Sequence, residues 1–281
     1  MLSDPELVRR CVAVRERNGW PVAKGPGEIN TDYIEGMDLD GTPNQNRKNA
    51  FDDLHVVYTF RDGVPVLLAK AECTTQPGAR YTLRPINPDG AAIIALGYQE
   101  CWEPGLHRGN YPALIQTGGP CRVYRDRQKT YTRTGESKPG WYGINQHHAH
   151  DAPRSDIGAH SAGCLVTRRV ADHERMLKLK KSDPRRVSNP KFVFGACVMT
   201  AAWVTGVGDP KARPRPDIKP DVPPAVKAGG GAATGMGGLG TYFVDHWMWF
   251  ALAAVLILIG LFAFYWREPF AEPDTHKPAG E

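Results

Sequence analysis

The stretch LHVVYTFRDGVPVLLAK, residues 54–70, decides the fold class. Two runs rich in Val, Leu, Tyr and Phe flank Arg61-Asp62-Gly63. Asp-Gly between two such runs is the signature of a tight β-hairpin, because both central residues of that turn need positive φ. Further strand signals follow at residues 80–84, 91–96, 113–117, 122–125, 142–147 and 191–198. Residues 22–49, rich in Gly, Asn, Asp and Pro, read as loop. Helical spacing is confined to two places. At the start, Leu7, Cys11 and Val14 fall on one face, Pro5 suits a first turn, and Ser3 with Glu6 fits a capping box. The second helix spans about residues 169–181. A mainly β domain with few helices is the expectation.

The chain has 281 residues and a net charge of +5 from 35 Lys+Arg and 30 Asp+Glu. That excess is too small and too dispersed for a nucleic-acid footprint, so no nucleic-acid partner is expected. The six cysteines contain no CxxC pair, which argues against a cysteine-built zinc site. A domain of this size can bury a core without disulfides, and reduced, mostly buried thiols are expected. The N-terminus lacks the apolar run of a secretory signal. DLDGTPNQN, residues 38–46, reads as an Asx-rich turn, since its glycine is misplaced for a calcium loop and position twelve lacks glutamate.

From Trp247 to Trp266 the sequence is WMWFALAAVLILIGLFAFYW, 20 residues without a charge. That length spans the hydrocarbon core of a bilayer, and aromatic residues stand at both ends. Residues 208–242, rich first in Pro and then in Gly, read as a linker. The expected organisation is a β-rich domain over 1–207, the linker, a transmembrane helix over 243–266 and a polar tail over 267–281. Lys and Arg are commoner before the helix, which favours the N-terminal side inside.

One segment concentrates chemistry: GINQHHAHDAPRSDIGAHSAGCLVTRR, residues 143–169. Cysteine catalysis needs a nucleophilic sulfur, a base and donors for the developing oxyanion. Cys164 is the candidate nucleophile and His148 the candidate base. The N–H groups of Gly163 and Cys164 are candidate oxyanion donors. Two alternatives stand beside this one: a metal cluster of His147, His150 and Asp151, and a segment with no chemistry.

The segment resembles the catalytic motif of the L,D-transpeptidase family. There a histidine at a strand end precedes a Ser-His-Gly-Cys turn by about sixteen residues. Here His148 stands sixteen positions before Cys164, Ile157-Gly158 lies between, and Ser161-Ala162-Gly163-Cys164 forms the turn. The resemblance implies a β-sandwich domain with Cys164 as nucleophile and His148 as base. Ser161 and Gly163 would shape the turn, and no cofactor or metal would be needed. The implied substrate is the peptide stem of peptidoglycan, acylating the enzyme before water or an amine resolves it. Asn145, Gln146, Asp156 and Arg168 become candidate substrate-binding or orienting residues. Three positions depart from the family: Ala162 replaces its histidine, Ala149 its glycine, and Val166 the arginine that holds the substrate carboxylate. GINQHH, DIGAHSAGC and ALIQTGGPCRVYRD (residues 113–126) are also similar to alphaproteobacterial and prophage proteins of peptidoglycan-binding or endolysin-like type. The implied setting is the inner membrane, with wall remodelling or phage lysis as the process. A non-catalytic wall-binding module on a membrane anchor is the alternative.

Overall fold

The computed structural model describes residues 1–206. The elements in chain order are α1 (Asp4–Arg17), β1 (Asn30–Glu35), β2 (Asp53–Arg61), β3 (Val64–Thr74), α2 (Ala79–Leu83), β4 (Ala91–Ile94), β5 (Gly97–His107), β6 (Tyr111–Gln116), β7 (Cys121–Asp126), β8 (Lys138–Gly140), β9 (Gln146–His148), β10 (Leu165–Thr167), α3 (Val170–Lys181), α4 (Pro184–Ser188), β11 (Phe194–Thr200) and α5 (Ala201–Thr205). The mainly β expectation holds. The expected linker and transmembrane helix lie outside the described residues. Within the described residues no helix is long and apolar enough to cross a membrane.

The hairpin is as the sequence reads it. Asp62 and Gly63 both take positive φ, and β2 and β3 pair antiparallel from Arg61↔Val64 back to Asp53↔Cys73. Eight strands then close a barrel in the order β1-β11-β5-β6-β9-β10-β3-β2, and β4-β7-β8 form a separate sheet. The expected sandwich is thus corrected to a closed barrel. The cause is the three-residue pair β9–β10, which run parallel and join β6 on one side to β3 on the other. Closure leaves no sheet edge exposed there.

Three local expectations also change. Residues 80–83 belong to helix α2, not to a strand. Their leading N–H groups are taken by Asn49 and Gly158, at 2.7 Å from Ala79 and 3.3 Å from Arg80, which folds the segment over. Residues 22–49 contain β1, whose six residues are all buried. Its polar residues are paired: Asp32 accepts from Arg15 Nε at 2.8 Å, and Asn30 donates to Ala23 O at 2.8 Å. Finally, Ser3 is the N-cap of α1 but makes no side-chain cap bond. Glu6 is drawn instead to Arg9 and Arg10, at 3.1 and 2.6 Å.

The core has two faces. Leu7, Val8 and Cys11 of α1 pack on Ile34, Leu54, Val56, Tyr58, Cys197 and Met199, covering the outside of β1, β2 and β11. Tyr33, Trp102, Leu114, Leu165 and Val198 face the other way, together with Ile94 and Val123 of the small sheet. All six cysteines are free and buried.

Beside the end of β1, one hydroxyl meets two buried carboxyls. Thr75 Oγ1 lies 2.6 Å from Glu35 Oε1 and 2.9 Å from Asp53 Oδ2. A hydroxyl has one proton to donate, so one of the two contacts needs a proton from the carboxyl. Burial, and then Glu35, hold Asp53 above the ordinary carboxylate range. Folded protein therefore keeps a proton that the unfolded chain releases. The stability this provides is full below the ordinary carboxylate pKa and is lost as pH rises through the raised value. Urea unfolding from about pH 4 to 8 is expected to show this loss. Asp53→Asn is expected to be less stable overall, with a flatter profile across that range.

Candidate active site

The parallel pair β9–β10 aligns Gln146 with Leu165, His147 with Val166 and His148 with Thr167. The chain thus returns Cys164, the residue before β10, to the start of β9. Cys164 packs with Phe51, Ala149, Ala152, Ile157 and Val166. Its Sγ accepts the Asn145 N–H at 3.4 Å and donates to Gly143 O at 3.5 Å.

The turn before it is held by Ser161, whose Oγ donates to Cys164 O at 3.0 Å and accepts the Gly163 N–H at 3.1 Å. Gly163 has φ +125°, and a Cβ there would stand 2.5 Å from Ala92 O. Both the dihedral and the close approach exclude a side chain. Ser161 thus occupies the Gly163 N–H, one of the two groups expected as oxyanion donors.

Cys164 opens on a pocket of about 160 Å³. The hairpin β5–β6 supplies His107, Arg108, Asn110 and Tyr111, β9 and the following loop supply His147, His148 and His150, and the turn segment adds Ala159, His160 and Ala162. Arg108 and Gly109 both take positive φ at the hairpin tip, which is what brings Arg108 to the rim. The rings form a stacked array. His107 lies on His147 with centroids 3.9 Å apart, and Tyr111 lies on His148 at 4.0 Å.

Among the described residues no carboxylate lines this pocket, and burial is the first cause of the shifts of Cys164, His107, His147 and His148. Burial pushes the Cys164 thiol up to about 11, against the Asn145 N–H and the Arg108 charge, which favour thiolate. Burial, then Arg108, pulls His107 down to about 4; burial, then His107, pulls His147 to about 3. His148 is lowered by burial and then by His150. At neutral pH the thiol and these imidazoles are all uncharged. Arg108 is the one permanent charge among the lining residues.

No protein-family model, curated protein or solved structure matches this chain.

The structure thus brings Cys164, His148, Ser161 and Gly163 together, as the sequence suggests. The other four candidates do different work. Asn145 sits behind the pocket, its Oδ1 accepting from Gln116 N at 2.9 Å and its amide nitrogen 3.1 Å from His107 Nδ1. Gln146 turns away from the pocket, where its Oε1 accepts from Lys180 at 2.7 Å and from Tyr33 at 3.1 Å. Asp156 accepts from Asn49 at 2.8 Å and braces the loop. Arg168 binds Glu72 at 2.6 Å and Ala152 O at 3.1 Å. None of these four lines the pocket. The alternative metal set is also taken apart. Asp151 accepts from Val170 N at 3.2 Å at the start of α3, while His147 is stacked under His107. Among the described residues no group of three His, Cys, Asp or Glu is placed to hold a metal ion.

Sequence reasoning missed His107, Arg108 and Tyr111. The one signal for them is Arg-Gly-Asn, residues 108–110, a turn motif between two apolar runs.

Gly163→Ala is expected to lose about 1–3 kcal/mol from overpacking alone, beyond its φ strain. Gly143 also has positive φ, at +68°, but open space around it. Gly143→Ala is expected to cost only about 1 kcal/mol. Thermal unfolding of the two variants separates these costs.

Proposed function

We propose that this protein is a cysteine-dependent acyl-transfer or hydrolytic enzyme acting on peptidoglycan stem peptides, held at the inner membrane by its C-terminal apolar segment. The observation that carries the reading is that Cys164, several neutral imidazoles and Arg108 line one pocket. The turn Ser161–Cys164, rather than the strand order, carries the likeness to L,D-transpeptidases and with it the substrate class.

Cys164 attacks the peptide carbonyl. The thiol proton passes to a pocket imidazole and onward to the leaving amine, giving a thioester. Water or an acceptor amine then releases the acyl group. Thiol and imidazole suffice for this sequence, so it calls for no cofactor. A thiol held near 11 does not ionise in advance; its proton leaves as the S–C bond forms. Arg108 takes the part of the substrate-carboxylate anchor, since Val166 stands where the family has its arginine and Arg168 is committed to Glu72.

A second reading is a wall-binding module without catalysis. The buried position of Cys164 and its raised pKa favour it.

Intact-mass spectrometry of the full chain, incubated with stem peptides or a carbapenem, decides between them. The enzyme gives an acyl adduct on Cys164 that is absent from Cys164→Ala. Retention on sacculi with no adduct establishes the binding module instead. For carboxylate-bearing substrates, Arg108→Gln is expected to raise KM roughly tenfold or more, the worth of a charged hydrogen bond. Arg168→Gln is expected to lower the unfolding temperature instead.

A further inference from the structure

The three pocket histidines nearest β9 differ in which ring nitrogen is occupied. His148 Nδ1 accepts the His150 backbone N–H at 3.2 Å. An amide N–H can only donate, so Nδ1 carries the lone pair and the neutral ring holds its proton on Nε2. His107 is fixed in the same way. Asn145 Oδ1 is taken by Gln116 N, so the atom 3.1 Å from His107 Nδ1 is the amide nitrogen, a donor. His147 is the opposite case. Its Nδ1 lies 2.9 Å from His148 O, a carbonyl that can only accept. Nδ1 therefore carries the proton, and Nε2 carries the lone pair. Tyr111 OH, 3.2 Å from His147 Nδ1 and 3.4 Å from His148 O, keeps both groups in register.

Strand register agrees. Paired residues of neighbouring strands point to the same face. His147 is paired with Val166, which packs with Cys164, and His148, the last residue of β9, lines the same pocket.

We infer that His147, through Nε2, is the base for Cys164, and that His148 serves as an N–H donor to the oxyanion. The inference rests on the cysteine-acylation reading above. In the first half-reaction Sγ bonds to the carbonyl carbon while its proton moves to His147 Nε2. The carbonyl electron pair shifts to oxygen, which meets His148 Nε2–H and the Cys164 N–H. On collapse the C–N bond breaks, and His147 returns the proton to the leaving nitrogen. In the second half, water or an amine gives a proton to His147 as it attacks the thioester, and that proton restores the Cys164 thiol. His148 thus fills the donor place that Gly163 leaves open. The groups around His147 are His107 from β5, Tyr111 from β6, His148 from β9 and His173 from α3, and none is acidic.

Two-bond nitrogen–proton correlation on the full chain with labelled histidine reads the tautomers without any variant. At neutral pH the expected proton sites are Nδ1 for His147 and Nε2 for His107 and His148. Reversed sites on His147 and His148 overturn the assignment. The roles are then read from two rates at Cys164: alkylation by iodoacetamide, and acylation by a carbapenem. His147→Gln is expected to slow both about tenfold or more. His148→Gln is expected to leave alkylation within about twofold and to slow acylation about a hundredfold, as loss of one oxyanion donor does. Slowed alkylation in His148→Gln, with none in His147→Gln, overturns the roles. No acylation of wild-type protein, with the tautomers as stated, overturns the acylation reading itself and leaves the proton positions standing.

Discussion

Gln146 is the residue on which the barrel and the site both depend. Its backbone lies in β9, between β6 and β10, at the narrowest point of the closed sheet. Its side-chain oxygen accepts from Tyr33 of β1 and from Lys180 of α3. Lys180 also lies 3.2 Å from His55 Nε2, and His55 Nδ1 lies 3.1 Å from Thr167 of β10. One amide thus ties four strands and a helix through a buried polar chain. Burial draws Lys180 down to about 7, so the chain is held by hydrogen bonds between weakly charged groups rather than by an ion pair. Such a network is stabilising only when its partners keep their geometry, which fixes the position of β9. Because β9 is only three residues long, fixing Gln146 fixes His147 and His148 as well.

The chemistry follows from that placement. Among the described residues no carboxylate lines the pocket, and burial keeps Cys164, His107 and His147 neutral rather than as a preformed thiolate–imidazolium pair. Desolvation disfavours the charged forms of Cys164, His107, His147 and His148. In the proposed reaction, charge appears only when a carbonyl is attacked. Arg108 stands apart on its left-handed turn, at the pocket rim rather than in its depth. Under the proposed function, an anion held there would extend from the rim toward Cys164.

The hairpin at residues 54–70 was legible because runs of strand-forming residues and Asp-Gly turn chemistry are local signals. The helices α1 and α3 were legible for the same reason. Strand β1 was not, since it buries Asn30, Thr31 and Asp32, and the partner that makes this tolerable, Arg15, lies on another element. Strand β5, with Glu103, Pro104 and Gly105 in its second half, lacks a clean alternation, and only its pairing with β6 and β11 reveals it. In the site, the Ser161–Cys164 turn was legible because its bonds are within three residues. Gln146 and Arg168 were misplaced because their partners, Lys180 and Tyr33 for the one and Glu72 for the other, lie on distant elements that sequence proximity does not reveal. His107 and Tyr111 were invisible because barrel order, not chain order, sets β6 beside β9.

The same logic separates the proposed roles of His147 and His148. Spacing alone favours the histidine sixteen residues before the cysteine, and spacing cannot tell a lone pair from an N–H. The distinction is made by two backbone groups, the N–H of His150 and the carbonyl of His148. Both belong to the bend after β9, where His150 and Asp151 take positive φ. Left-handed conformations at non-glycine residues cost energy and persist where the surrounding structure holds them. Here Asp151 is held by Val170 N at the start of α3, and Ala149 N by Thr167 O. The bend sets the proton positions of two rings, and α3 and β10 set the bend.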